Sequence, residues 1–287
     1  MAEDRWLKII DDNGMTNVND YISNFIFLEA KSSYPTSVED GITIKGVDGE
    51  LPSVASFSPF SLVVKFGLDG MDEKDINLME QMLRNLFYRR KPYYVVTSDN
   101  PGKKFLVNNP DMNPDYADFS ATRFDMTFTV KKGYSESLKE TDQFSLSSGD
   151  WQLESGVLAY EDIKYKHDTT SFNIYNGSSD VINPLLRHKF KLLINIDAPK
   201  GFKIKNKTTS KKLNDGTETD VFEYKKAIKK NQQLVINGVH PFINNKRVGI
   251  DTNWQWLTLD KGFNEIEITG ENISNVQTHW VFPFIYR

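Results

Sequence analysis

The stretch Phe124-Asp125-Met126-Thr127-Phe128-Thr129-Val130 alternates apolar and polar residues without a break. Side chains of an extended chain point to opposite faces in turn, so this pattern gives one face for a core and one for water, as in antiparallel sheets. Working outward, the same rhythm recurs. Phe190, Leu192, Ile194 and Ile196 alternate with Lys191 and Asn195. Phe202 and Ile204 alternate with Lys203 and Lys205, and Ile266 and Ile268 with Glu265 and Glu267. Less regular strand candidates are Phe25–Leu28, Ile42–Val47, Ser61–Phe66, Tyr93–Thr97, Leu234–Ile236 and Trp280–Tyr286. Asn214-Asp215-Gly216 supplies hairpin-turn chemistry, because Asp-Gly accepts positive φ cheaply.

One segment departs from period two. In Asp72–Arg90 the residues Ile76, Met79, Leu83, Leu86 and Phe87 recur at three-to-four spacing, the apolar stripe of a helix. Asp72 is placed to cap it, and Asp75 adds favourable charge to the first turn. Arg84, Arg89 and Arg90 suit the negative end, and Pro92 stops continuation. Asn108–Thr122 is rich in Asn, Pro and Asp and reads as a loop. Glu136–Asp150 is polar, with Ser145, Ser147, Ser148 and Gly149 near its end, and the domain boundary is expected there. The residues themselves therefore predict a mainly β protein with one helix, in two domains, 1–143 and 144–287.

The composition of the 287 residues is that of a soluble globular protein, with 39% apolar and 26% charged residues. Aromatics reach 13%, including 19 Phe and 12 Tyr, which suits sheet faces and interfaces. A net charge of −4 argues against a general nucleic-acid binder. With no cysteine, disulfides, thiol catalysis and zinc–thiolate sites are excluded. Met1-Ala2-Glu3-Asp4-Arg5 is charged and not followed by an apolar stretch, so it does not read as a signal peptide. No window approaches the ~18 apolar residues of a membrane helix. The expectation is a soluble protein made in a cytoplasm.

A search for chemistry finds little. His167, His188, His240 and His279 are scattered, with none at metal-ligand spacing from another. No nucleophile elbow, phosphate loop or dinucleotide fingerprint occurs. Asp11-Asp12-Asn13-Gly14 is too short for a calcium loop and reads as a turn. Glu265 and Glu267 share a strand face and imitate a glycosidase pair, yet they lie on the polar side of a clean alternation and read as solvated. Asn206-Lys207-Thr208 and Asn272-Ile273-Ser274 match the glycosylation acceptor pattern, which carries no weight without a secretory signal. No catalytic residue, metal ligand or cofactor is assigned. A lysine-rich stretch comprises Lys200, Lys203, Lys205, Lys207, Lys211, Lys212, Lys225, Lys226, Lys229 and Lys230. It reads first as solvated strand faces and second as a patch for an acidic partner. Trp254, Trp256 and Trp280 are candidates for stacking on sugar rings, against a core or interface role for such large aromatics.

The order of particular segments goes further. Gly46-Val47-Asp48-Gly49, a strand, the helix Asp72–Arg90 and Lys91-Pro92-Tyr93-Tyr94-Val95 resemble the N-terminal part of the distal tail protein family of long-tailed phages. Asn100-Pro101-Gly102-Lys103-Lys104-Phe105-Leu106-Val107 and Gly133-Tyr134-Ser135-Glu136-Ser137 fit its following elements. In the second half, Phe172-Asn173-Ile174-Tyr175-Asn176-Gly177 with Asn183-Pro184 resembles the family's domain entry. Ile204-Lys205-Asn206-Lys207-Thr208-Thr209 resembles its i-x-N-x-T-T strand end. Leu259-Asp260-Lys261-Gly262-Phe263-Asn264-Glu265-Ile266-Glu267-Ile268 resembles its L-x-x-G-x-N-x-I-x-I element. Gly262 and Asn264 are expected to supply the backbone angles of a reversal between strands.

The resemblance implies an N-terminal domain forming a six-membered ring at the end of the tail tube and a C-terminal galectin-like antiparallel β-sandwich. It implies a structural baseplate hub in the virion tail tip, made in the bacterial host's cytoplasm. Its implied partners are the tail tube protein, the tail-associated lysin or fibre protein and the tape-measure protein, with no membrane, no specific nucleic acid and no cofactor. The alternative is a carbohydrate-binding module that attaches to host wall glycan through Trp254, Trp256 or Trp280.

Overall fold

The computed structural model describes residues 5–51, 53, 55–116, 121–145, 151 and 163–287. They fall into two compact units, Met1–Leu138 with Arg287, and Lys139–Tyr286. Of the polar stretch expected to hold the boundary, Ser147, Ser148 and Gly149 lie outside the described residues.

The strands of the first unit are β1 (Leu7–Asp11), β2 (Gly14–Asn17), β3 (Phe25–Ser32), β4 (Ser37–Val38), β5 (Ser56–Phe57), β6 (Phe60–Asp69), β7 (Tyr93–Thr97), β8 (Lys103–Val107), β9 (Asp111–Tyr116), β10 (Ala121–Val130) and β11 (Ser135–Ser137). Its helices are α1 (Val18–Tyr21), one turn that the sequence did not announce, and α2 (Glu73–Phe87). The main sheet runs β2-β1-β7-β8-β10-β6-β3. At its centre β10 pairs with β6 over ten residues, from Ala121 opposite Asp69 to Val130 opposite Phe60. Thr122, Phe124, Met126, Phe128 and Val130 are buried while Arg123, Asp125 and Thr129 are exposed, so the alternation that opens the sequence reading is the core face of the central strand.

Onto that face α2 lays Ile76, Met79, Leu83, Leu86 and Phe87, all buried. Phe87 packs 5.9 Å from Phe128, and Phe66 stacks at 4.9 Å on Phe124. Asp72 caps the helix by accepting from the Asp75 amide at 3.0 Å. The helix ends at Phe87, three residues before the expected Arg90, because side chains take up its last carbonyls. Arg89 Nε donates to Leu86 O at 2.6 Å, and the buried Tyr93 hydroxyl donates to Phe87 O at 2.9 Å.

Two local expectations fail here. Asn108–Thr122 is not simply a loop, since Asp111–Tyr116 forms β9 against β10, with Thr127 opposite Asp111 and Thr122 opposite Tyr116. β10 meets β8 only at Val130, so the remaining backbone groups on that side were open. Pairing through backbone alone leaves no apolar rhythm in β9, where only Met112 is even partly buried. Ile42–Val47 is not a strand. Ile42 makes one bridge to Leu51, and the chain reverses at Gly46 and Gly49, both at positive φ. This arm, between the short pair β4–β5, stands clear of the core, and Ile42, Ile44, Val47 and Leu51 are exposed.

The second unit contains β12 (Lys166–His167), β13 (Ser171–Asn176), β14 (Lys191–Asp197), β15 (Phe202–Asn206), β16 (Val221–Tyr224), β17 (Leu234–Asn237), β18 (His240–Ile243), β19 (Lys246–Arg247), β20 (Gly262–Thr269), β21 (Ser274–Val281) and β22 (Ile285–Tyr286). One sheet runs β12-β21-β14-β17-β18-β19 and the other β13-β20-β15-β16, with antiparallel pairings throughout. Buried Leu192, Ile194 and Ile196 line one sheet, and Phe202, Ile204, Ile266 and Ile268 line the other. Trp280 of β21 meets Phe172 of β13 edge-on at 6.1 Å, so the sheets pack as a sandwich. Trp280–Tyr286 is two strands rather than one, since Pro283, which has no amide to donate, falls between β21 and β22.

The segment leading into β20 is held by three buried asparagines. Asn264 Oδ1 accepts from the Asp260 amide at 2.8 Å, and its Nδ2 donates to Asp260 O at 2.8 Å and Gly262 O at 3.1 Å. Asn206 Nδ2 donates to Thr258 O at 2.7 Å and to Asn264 Oδ1 at 2.9 Å. Asn176 Nδ2 donates to Leu259 O at 3.0 Å. The reversal therefore needs Gly262 for its backbone, at φ +80°, but Asn264 for its side chain, which differs from the backbone role expected of it.

Two stability outcomes follow from these contacts. Leu83→Ala or Phe87→Ala is expected to lower the unfolding free energy by about 2–5 kcal/mol in urea titrations, as large-to-small changes in a core do. Equal midpoints to wild type would show that the α2 stripe is not core. Asn264→Ala, which strands several buried donors and acceptors, is expected to cost about 1–3 kcal/mol, whereas the exposed Glu265→Gln beside it stays within about 0.5 kcal/mol.

Candidate functional site

The residues singled out from the sequence end up in different settings. Trp280 is fully buried between Phe172 and Phe190 and donates to Thr278 Oγ1 at 3.2 Å. It has no free ring face, so it is a core residue and not a sugar platform. Trp254 and Trp256 do not share a strand face either, because residues 253–258 are irregular. Trp254 is 63% exposed, while Trp256 is half-buried and donates to Val239 O at 3.1 Å. Both line one cavity of about 310 Å³ together with His240, Arg247, Ile250 and Gln255.

Four lysines of the lysine-rich stretch are paired with carboxylates. Lys200 pairs with Glu271 at 2.6 Å, Lys203 with Glu223 at 3.7 Å and Lys205 with Glu218 at 2.8 Å. Lys207 pairs with Glu265, which raises the lysine pKa. Such exposed pairs contribute little stability. They do remove the single-sign field that an acidic partner would need, so the solvated-face reading holds for these four. The Lys207–Glu265 pair occupies one of the two strand carboxylates.

Register brings together two histidines that the sequence keeps 112 residues apart by number (279 − 167). β12 runs beside β21, with Lys166 opposite His279 and His167 opposite Thr278. His167 and His279 line an open cavity of about 410 Å³ with Asp168, Asn195, Gln233 and Gln277. His167 stacks on Phe172 at 4.1 Å and bonds Lys164 O at 2.9 Å. Burial holds both imidazoles below their ordinary pKa. His188, by contrast, is a buried structural residue whose Nδ1 lies within hydrogen-bond distance of the Asn183 amide and the Val181 carbonyl, accepting from the first or donating to the second according to its tautomer. Among the described residues no group of three or more His, Asp or Glu is arranged to hold a metal ion. No helix among them is long and apolar enough to cross a membrane.

Residues 14–130, most of the first unit, match the family described as the phage tail protein RIFT-related domain. No curated protein matches the sequence. Among solved structures, the crystal structure of the phage SPP1 Dit (gp 19.1) protein, described as a paradigm of the hub adsorption apparatus in phages infecting Gram-positive hosts, aligns with a TM-score of 0.67 at 13% identity, over 99% of this chain and 100% of that one. Chains of the phage p2 baseplate in its activated conformation with Sr align over 97% of this chain and 98% of theirs at 14% identity, but with a TM-score of 0.37, too low to bear on the fold. The first unit thus matches a phage tail protein domain over residues 14–130, and over nearly its whole length the chain has the fold of the SPP1 Dit protein.

Proposed function

We propose that this protein is a structural hub of a phage tail tip, a ring built by its first unit that joins the tail tube to the tip and host-adsorption proteins. The observation that carries this reading is the coincidence of a phage-tail domain over residues 14–130 with the fold of a hub protein over both units. A ring of six copies follows from the family resemblance, and with it a place in the virion and contacts to the tube, tape-measure and lysin or fibre proteins. A cyclic assembly uses a head-to-tail interface that closes on rotation, so each copy must offer a patch that is apolar and exposed when alone. The arm bearing Ile42, Ile44, Val47 and Leu51 is such a patch.

The proposal includes no catalysis. Glu265 is engaged by Lys207, and Glu267 lies on the same wet strand face, away from the apolar setting that a glycosidase acid needs.

Light scattering on the purified full-length protein is expected to give the mass of a closed ring, six copies being the expected number. Replacing Ile44 and Leu51 together by Glu is expected to give a monomer with unchanged circular dichroism and melting temperature. A wild type that stays monomeric at high concentration, with no change on the double substitution, would sink the ring. On purified bacterial cell walls, wild type and Glu265→Gln are both expected to release no reducing sugar above buffer. Release by wild type that Glu265→Gln or Glu267→Gln abolishes would make the second unit an enzyme.

A further inference from the structure

We infer that the cavity beneath Trp254 in the second unit is a glycan-binding site that seats one sugar ring of a surface polysaccharide on the Trp254 indole. The starting point is backbone. Trp254 adopts φ +59°, in the left-handed region where a bulky residue is an outlier and carries strain. That conformation is imposed from both sides. The Trp254 amide donates to Thr252 Oγ1 at 3.3 Å. Asn253 accepts from the Glu223 amide at 3.0 Å and donates to Val221 O at 2.5 Å, and Gln255 Oε1 accepts from the Val221 amide at 3.4 Å. The edge strand β16 thus clamps the residues that flank the tryptophan. The result is an indole held out of the core, 63% exposed.

The indole lies beside Gly249. A Cβ there would stand 3.5 Å from the far edge of the Trp254 indole, so the six-membered ring rests near the backbone of the β19–β20 connection. Trp256 forms the other aromatic wall and has its own Nε1–H occupied by Val239 O, which leaves its ring as an apolar surface. Ile250, 83% exposed, extends that surface outward.

Around the apolar floor stand hydrogen-bond donors: the Arg247 guanidinium, the His240 imidazole and the Gln255 amide nitrogen. No carboxylate lines the cavity. This combination matches a pyranose. The ring's C–H face stacks on an aromatic plane, while its oxygens, hydroxyl or acidic, accept from Arg247, Gln255 and His240. A positive, donor-rich rim favours an acceptor-rich ligand, and a clamped platform keeps the ordering cost of binding low. A protein helix would need a longer apolar groove than this one.

The inference is independent of the hub reading, and one set of measurements separates them. The full-length protein is applied to an array of neutral and acidic bacterial surface glycans, and the oligomer mass of every variant is measured in parallel. Wild type is expected to bind at least one glycan saturably, with quenching of tryptophan fluorescence. Trp254→Ala is expected to weaken that binding by about tenfold or more, with mass and melting temperature unchanged. Trp254→Tyr, which keeps a platform, is expected to retain most of it. Arg247→Ala then distinguishes the ligand's oxygens, since it weakens an acidic glycan far more than a neutral one. Absence of saturable binding to any glycan on the array, or equal binding by wild type and Trp254→Ala, overturns the inference. So does a Trp254→Ala variant that changes the oligomer mass and not glycan binding, which would make the patch a protein contact.

Discussion

The pairing of β10 with β6 is the constraint on which the first unit depends. Ten consecutive residues are matched, so a slip of one position would turn Phe124, Met126, Phe128 and Val130 to water and bring Asp125, Thr127 and Thr129 into the core. The cost of such a slip is several buried aromatic and aliphatic side chains, each contributing ~1.5–3 kcal/mol of transfer free energy. Everything else in the unit is built on the surface this register creates. Phe66 stacks on Phe124, Phe25 stacks on Phe66, and Phe87 of α2 reaches Phe128. Tyr93 then meets Phe128 edge-on while its hydroxyl closes the helix end, which ties β7 to α2 and α2 to β10.

The second unit rests on a different kind of device. Its sheets are held by ordinary apolar alternation, but the connection from Thr258 to β20 lies over the sandwich with several backbone groups that neighbouring strands do not satisfy. Asn176, Asn206 and Asn264 satisfy them, one from each of β13, β15 and β20. All three are almost fully buried, and a buried amide without partners would cost more than it contributes. This gives a physical reason for the motifs in which these asparagines sit. Asn206 of Ile204–Thr209 bonds Asn264 of Leu259–Ile268 directly, and Asn176 of the domain entry holds the Leu259 carbonyl of the same connection.

The surface features of the two units divide along similar lines. In the first unit the arm between β4 and β5 carries apolar side chains with nothing of its own to bury them, a property that suits an assembling protein better than a solitary one. In the second unit Lys203 and Lys205 of β15 and Glu265 of β20 are each paired with an opposite charge, and Arg247 lines the cavity at Trp254, which has no carboxylate in its lining. The proposed hub role and the proposed glycan site thus draw on separate parts of the chain, so that each can be tested without disabling the other.

The sequence by itself determined the fold class, the place of α2 and its Asp72 cap, and the core strands β3, β6, β7, β10, β14, β15, β17 and β20, because these depend on local rhythm and on capping chemistry that neighbours in the chain supply. It also carried the family resemblance, through short motifs in a fixed order. It could not show that Asp111–Tyr116 pairs with β10, since an edge strand held by backbone bonds alone imposes no pattern on its side chains. Nor could it separate three tryptophans of equal appearance: Trp280 is enclosed by Phe172 and Phe190 from other strands, whereas Trp254 is held outward by Val221 and Glu223 of β16. Whether an aromatic ring faces core or solvent depends on what the fold brings against it from residues 30 to 110 positions away, and such contacts exist only once the sheets have formed.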